Sequence, residues 1–246
     1  DHRDLHSFPT RRSSDLNSGT GLVIVDISNP SAPTLEGNFD TVDATSVAVS
    51  GNYAYVADNT NGLVIIDISN PSAPIHVGSY KTSDCAWDVT VSGNYAYVAD
   101  NTNGLVIVDI SNPSAPTLAG NYDTVDATSV AVSGNYAYVA DGENGLVIVD
   151  ISNPSAPTLA GNYDTSGKVV NIAVSSDYTY VADFDNGLVI FRVVDKIPPV
   201  SVTNLHESFF GADWIRWTWE NPEDEDFYFA RVYIDGKFVE NTSRNS

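Results

Sequence analysis

From Gly62 the chain runs Gly-Leu-Val-Ile-Ile-Asp-Ile-Ser-Asn-Pro-Ser-Ala-Pro, an apolar stretch closed by a proline corner, and close copies open at Gly21, Gly104, Gly145 and Gly187. The openings lie 41, 42, 41 and 42 residues apart. A fixed period in the forties marks stacked supersecondary units. Within one unit, four apolar segments alternate with turn signals, which predicts strands near 46–50, 53–57, 63–68 and 75–81. Gly51-Asn52 supplies the first two-residue turn, and Asp58 to Gly62 the second, rich in residues that tolerate positive φ. Leu63 to Ile68 is almost unbroken Leu, Val and Ile, the pattern of a strand covered on both faces. Asn70 to Pro74 cannot continue a ladder, because proline has no N–H to donate, so the next segment is an outer strand.

Blades packed side by side cover both faces of their inner strands, so pattern and period together predict an all-β fold, a β-propeller of four-stranded blades. A superhelical solenoid fits less well, since such repeats are helical or much shorter per coil. Whole blades span about 43–166, flanked by a third-plus-outer pair of strands and a first-to-third triplet. The expectation is an incomplete propeller, an open or strained ring cut from a natural one of about six to eight blades.

Two copies are letter-for-letter repeats: Asn103 to Thr124 recurs as Asn144 to Thr165. The letters at Leu22 to Asp26, Leu105 to Asp109 and Leu146 to Asp150 resemble the LVIVD family, over about Gly21 to Val194. That resemblance implies propeller domains of bacterial and archaeal secreted or surface proteins, mostly without an assigned activity. The departures are Ile66 in the second copy and Ile190-Phe191-Arg192 in the last. The last copy also lacks the proline corner, as expected of a closing edge.

Both ends differ from the repeats. Residues 1–16 resemble the translation of a sequencing-library adapter; they are set aside from 17–195, and expected to pack against nothing specific. The natural N-terminus is then missing, and the lack of a signal peptide carries no information. After Pro198-Pro199 the composition shifts, with Trp214, Trp217 and Trp219 close together, a strand over Phe227 to Ile234 and a hairpin at Asp235-Gly236. Residues 198–246 resemble the first half of a fibronectin type III sandwich, truncated well short of its usual length of about 100 residues.

Acidic residues outnumber basic ones 32 to 11, a formal charge of −21, which argues against nucleic acid and anionic membrane, whose binders need basic surface. No apolar run approaches the ~18 residues of a membrane span. One cysteine, Cys85, excludes an internal disulfide framework. Outside residues 1–16 only His76 and His206 remain, one on an outer strand and one in the appended module, so no nucleophile and base are suggested and no catalytic residue is assigned. Asp26, Asp67, Asp109 and Asp150 recur in register and are expected to satisfy turns.

The hairpin series that begins at Asp58, Asp100, Asp141 and Asp183 is the best calcium candidate, with Asp183, Asp185 and Asn186 the richest in oxygen. Six to eight oxygens are needed, so plain Asx turns are the favoured reading, with no cofactor. Asn241-Thr242-Ser243 is a glycosylation sequon, meaningful only in an exported protein. Cys85 and Trp87 replace small and β-branched residues of the other copies and are expected in the core. The expected function is a non-enzymatic scaffold, extracellular or cell-surface as the family resemblance implies, that mediates adhesion or interaction with a protein or carbohydrate. The alternative is a propeller hydrolase or lyase with its site at the channel mouth, which needs unlike polar groups converging from different blades.

Overall fold

Strands fall where the periodicity places them in the computed structural model, which describes residues 21–175, 178–192, 203–210, 215–220, 229–234 and 237–243. The first sheet is a pair, β1 (Leu22–Asp26) and β2 (Thr34–Phe39). Three complete blades follow: β3 (Ser46–Ser50), β4 (Tyr53–Ala57), β5 (Leu63–Asp67), β6 (Ile75–Tyr80); then β7 (Asp88–Ser92), β8 (Tyr95–Ala99), β9 (Leu105–Asp109), β10 (Thr117–Tyr122); then β11 (Ala127–Ser133), β12 (Tyr136–Asp141), β13 (Leu146–Asp150), β14 (Thr158–Tyr163). A triplet closes the series, β15 (Val169–Ser175), β16 (Tyr178–Asp183) and β17 (Gly187–Arg192). The pair and the triplet remain separate sheets and do not merge into one blade. Residues 1–16 lie outside the described residues.

Each blade is an antiparallel meander with neighbours in sequence order, so short hairpins suffice. Gly51, Gly93 and Gly134 take positive φ in the first hairpins, the conformation a two-residue turn demands and a side chain resists. Every third-to-outer pairing carries a bulge at the same place, for example between Ile65 and Ile66. This bends the outer strand away from the ladder.

Blades are joined by their faces. Leu63 and Ile65, with Tyr55 and Ala57, pack against Ala96, Val98, Val106 and Val108 of the next blade. The same surfaces recur one blade on, where Leu105 and Ile107 meet Ala137, Val139, Val147 and Val149, and one blade back, where Leu22 and Ile24 meet Val56, Val64 and Ile66. The third strand therefore contributes one side chain in two to each junction, which is why its sequence is continuously apolar. The innermost strands β3, β7, β11 and β15 also lie side by side. At the rim, Gly37, Gly78 and Gly120 let each outer strand approach the corner of the following blade, at the carbonyls of Pro71, Pro113 and Pro154.

The chain divides into two units, Asp1–Arg192 and Val193–Ser246. In the second, β18 (Thr203–Phe210) pairs with β19 (Ile215–Glu220), and β20 (Phe229–Ile234) with β21 (Lys237–Ser243), both antiparallel. Among the described residues no helix is long and apolar enough to cross a membrane.

Candidate binding face at the inner-strand loops

A buried aspartate ends the second strand of every blade: Asp58, Asp100, Asp141 and Asp183. Asp58 accepts the backbone N–H of Asp43 on Oδ1 at 2.7 Å and that of Val42 on Oδ2 at 3.3 Å, while the Asn61 amide donates to Oδ2 at 2.8 Å. Asp141 repeats the arrangement with Val125, Asp126 and Asn144. These carboxylates pin the loop that enters each innermost strand. At the strand ends Asp26, Asp67, Asp109 and Asp150 accept the N–H two residues on, as the turn reading expects.

The calcium candidates sit in the same frame. Asp183 Oδ1 accepts the N–H groups of Asp185 and Asn186, at 2.9 and 2.8 Å, and its Oδ2 accepts the Asn186 amide at 3.1 Å. Asp185 accepts the Lys168 N–H at 3.2 Å, and Asn186 also donates to the Thr165 carbonyl. Among the described residues no three His, Cys, Asp or Glu are arranged to hold a metal ion. Hydrogen bonds, led by that of the Thr165 side chain and followed by those of Asn186 and Asp185, hold the Asp183 carboxyl at about 2. A folded value below the ordinary 3.8 means that its contribution is complete above that pH and is lost as pH falls through about 2. A carboxyl ¹³C titration should place the Asp183 midpoint near 2, and a midpoint near 4 would show that these bonds are not formed in solution.

Ser46, Asp88, Ser129 and Asn171 occupy one register on the four innermost strands, each opposite an alanine of its second strand. Asp88 Oδ1 accepts the Ser46 hydroxyl at 2.5 Å, and Oδ2 accepts the Ser129 hydroxyl at 2.7 Å and the Val130 N–H at 3.0 Å. The Ser129 oxygen in turn accepts the Ile172 N–H at 3.4 Å. One carboxylate thus ties the innermost strands of three blades together, and the Ser129 hydroxyl extends the chain of bonds to a fourth, β15. Its role was missed from sequence, although the signal was there: Asp88 is the one acid in a column of Ser, Ser and Asn. Asp88→Ala should cost about 2 kcal/mol in urea unfolding, since it strands two hydroxyls and a backbone N–H. Asp88→Ser, the residue of the sister blades, should recover part of that loss.

Chemistry that breaks the repeat gathers just before this strand, in Ser83 to Asp88. In sister blades a threonine hydroxyl bridges two blades, Thr45 reaching the carbonyls of Ala57 at 3.0 Å and Ala86 at 2.8 Å. Thr128 does the same at Ala140 and Val169. Trp87 stands in that position and has no hydroxyl; the Asn101 N–H supplies the missing donor to the Ala127 carbonyl at 3.1 Å. Trp87 is 41% exposed, contrary to the expectation that it is core, because the position lies where the strand emerges from the blade. Cys85 is half-buried.

The Cys85 thiol is pushed up first by burial, then by its hydrogen bond to Asp84 and by the charges of Asp84, Asp100 and Asp43. Iodoacetamide should therefore alkylate Cys85 more slowly at pH 8 than a free cysteine, and faster in Asp84→Asn. Asp84 is held below the usual carboxylate range chiefly by the Thr102 hydroxyl. Asp100 differs from its sisters: Asp84 N–H reaches only its Oδ2, at 3.2 Å, and Oδ1 is left buried with no partner. The extra residue in this unit displaces the second N–H that sister loops supply.

His76 lies on the outer strand β6, stacked on Phe39 at 6.5 Å, far along its blade from the innermost strand; His206 lies on β18 of the other unit. Asn241 sits on β21 opposite Arg231.

Antiparallel four-stranded blades in series, joined innermost strand to innermost strand, define a β-propeller-type repeat scaffold. The LVIVD repeat model matches residues 17–41, 43–82, 85–124, 126–165 and 166–197, and the chain belongs to the LVIVD repeat family. Among solved structures it is similar to the computationally designed Ika4 protein, with a TM-score of 0.51 and 11% identity over 61% of this chain and 91% of that one. The computationally designed Ika8 protein aligns at a TM-score of 0.57 and 10% identity, over 91% of this chain and 68% of that one. These likenesses concern the fold alone. No curated protein matches the chain.

Proposed function

We propose that this LVIVD-repeat chain is a non-enzymatic scaffold, exported or displayed at the cell surface, that binds a protein or glycan partner through its inner-strand loops. One observation carries the reading: the recurring buried aspartates are engaged by backbone amides, whereas large apolar side chains of the same loops, Val42 and its repeat Val125, and Trp87 where the sister blades carry threonine, are exposed. Buried polar groups thus build the frame and apolar loop side chains face outward, the division expected of a binding module. The strong negative charge favours a partner other than nucleic acid or anionic lipid.

No cofactor is part of this reading, and the Asp183 loop is taken as an Asx turn without calcium. The C-terminal unit is taken as a fibronectin-like spacer, with Asn241 glycosylated where the host does so, and residues 1–16 as foreign to the fold. The test is capture of surface proteins and arrayed glycans by the full chain, beside a panel of hydrolase and lyase substrates. Saturable capture without turnover is expected. Turnover that Asp88→Asn abolishes would move the reading to the channel-mouth enzyme.

A further inference from the structure

We propose that a second copy of this chain packs head to tail on the β15–β17 sheet, seating the free side of its own β1 on the sheet's outer face. The proposal goes beyond the scaffold reading, because it concerns the chain's association with itself and holds whatever ligand the loops bind.

Each blade turns one face to the blade that follows. In the first complete blade that face reads Ala48, Tyr55 and Ile65 across three strands, then Ala57 and Leu63 one register away. The last sheet repeats it residue for residue, as Ala173, Tyr180 and Ile190, then Ala182 and Leu188. Their surroundings differ. Tyr55, Ala57, Leu63 and Ile65 are buried in a junction, whereas Ala182, Leu188 and Ile190 are exposed and Tyr180 is half-buried. A repeat array that ends in water needs a polar outer face on its terminal unit, and this sheet instead keeps the apolar set of a junction. A contiguous exposed patch of that kind marks a surface that another protein covers.

The surface that fits it is already present in the molecule. At the junction after the first complete blade, this face is met by Val106, Val108 and Ile110, which project from one side of the next blade's third strand and its continuation. Strand β1 and its continuation carry the same positions as Val23, Val25 and Ile27. These three are half-buried, while Leu22 and Ile24, on the other side of β1, are buried against the following blade. One chain thus leaves both halves of a single junction uncovered, and its first pair and last triplet stay separate sheets. Because the two halves differ, the contact is heterologous, the last sheet of one copy meeting the first sheet of another.

Two features set its strength. The receiving sheet has two strands where an internal blade has four, so the contact is narrower than an internal junction. A formal charge of −21 also makes the copies repel. An interface at the small end of the range, with a Kd on the order of tens of micromolar, is the result. In more dilute unfolding measurements the chain is monomeric and the last face is in water.

Sedimentation velocity of the full chain, from about 1 to about 300 μM, should show reversible association that strengthens in about 0.5 M sodium chloride as the repulsion is screened. Leu188→Lys and Val25→Lys should each be monomeric throughout, with far-UV circular dichroism unchanged; Ile27→Lys takes the place of Val25→Lys if that variant does not fold. Mixed in equal amounts, the two variants should associate again but stop at a 1:1 pair, since each keeps one intact face. Association of Val25→Lys alone at wild-type strength would show that β1 is not the receiving face and overturn the head-to-tail contact. A mixture that stays monomeric, or a wild-type chain that is monomeric over the whole range, overturns it as well.

Discussion

Ile107→Ala is expected to destabilise the repeat unit by about 3 kcal/mol, whereas Ile190→Ala, at the same position of the last copy, should cost less than about 0.5 kcal/mol. Ile107 is 0% exposed and Ile190 is 54% exposed, though both follow Leu-Val in the third strand of their blades. Ile107 is enclosed by Ala137, Val139, Val147 and Val149, so truncation leaves a cavity that two hydrogen-bonded sheets cannot close. Beyond Ile190 no following blade supplies such a face among the described residues, and the lost methyls were already in contact with water. Leu105 and Leu188 form a second such pair, 0% and 66% exposed. Urea unfolding followed by tryptophan fluorescence and far-UV circular dichroism gives both values. Equal losses at Ile107 and Ile190 would mean that the last sheet is covered in solution.

Much of the fold was legible because the repeat states its own geometry. Strand β5 ends at Asp67, one residue before the expected 68, and β6 at Tyr80, one before 81, since turn residues follow shortly after each. The flanking pair and triplet also follow from counting apolar segments. What sequence did not disclose is which polar residues the fold brings together. Asp88 and Ser46 are 42 positions apart, and only the stacking of innermost strands makes them partners. Trp87 was placed in the core by its residue type, but its strand begins there, so position overrides apolarity. The Asp183 loop, richest in oxygen among the calcium candidates though read as an Asx turn, shows another limit: oxygen counts in sequence do not reveal that two backbone N–H groups bond to one carboxylate oxygen.

The rim of the junction offers the sharpest internal control. Gly120→Ala should cost about 3 kcal/mol, while Gly161→Ala should be neutral or stabilise by up to about 1 kcal/mol. Neither residue has positive φ, so backbone conformation does not separate them. Space does: a Cβ on Gly120 would lie 2.4 Å from the Pro154 carbonyl oxygen and 3.2 Å from Pro157 Cδ, whereas nothing lies within 4 Å of one on Gly161. The clash at Gly120 is with backbone held in a proline corner, which cannot rotate aside, so the two blades must separate locally and loosen the contacts behind them. Gly161 escapes because the copy that follows its blade lacks the Asn-Pro-Ser-Ala-Pro corner. There, only the unfolded chain loses freedom. Gly78→Ala should behave like Gly120→Ala, its Cβ falling 2.4 Å from the Pro113 oxygen. Equal Tm values for Gly120→Ala and Gly161→Ala would show that the corners do not bear on the outer strands, and the blade-to-blade contact at the rim would then have to be redrawn.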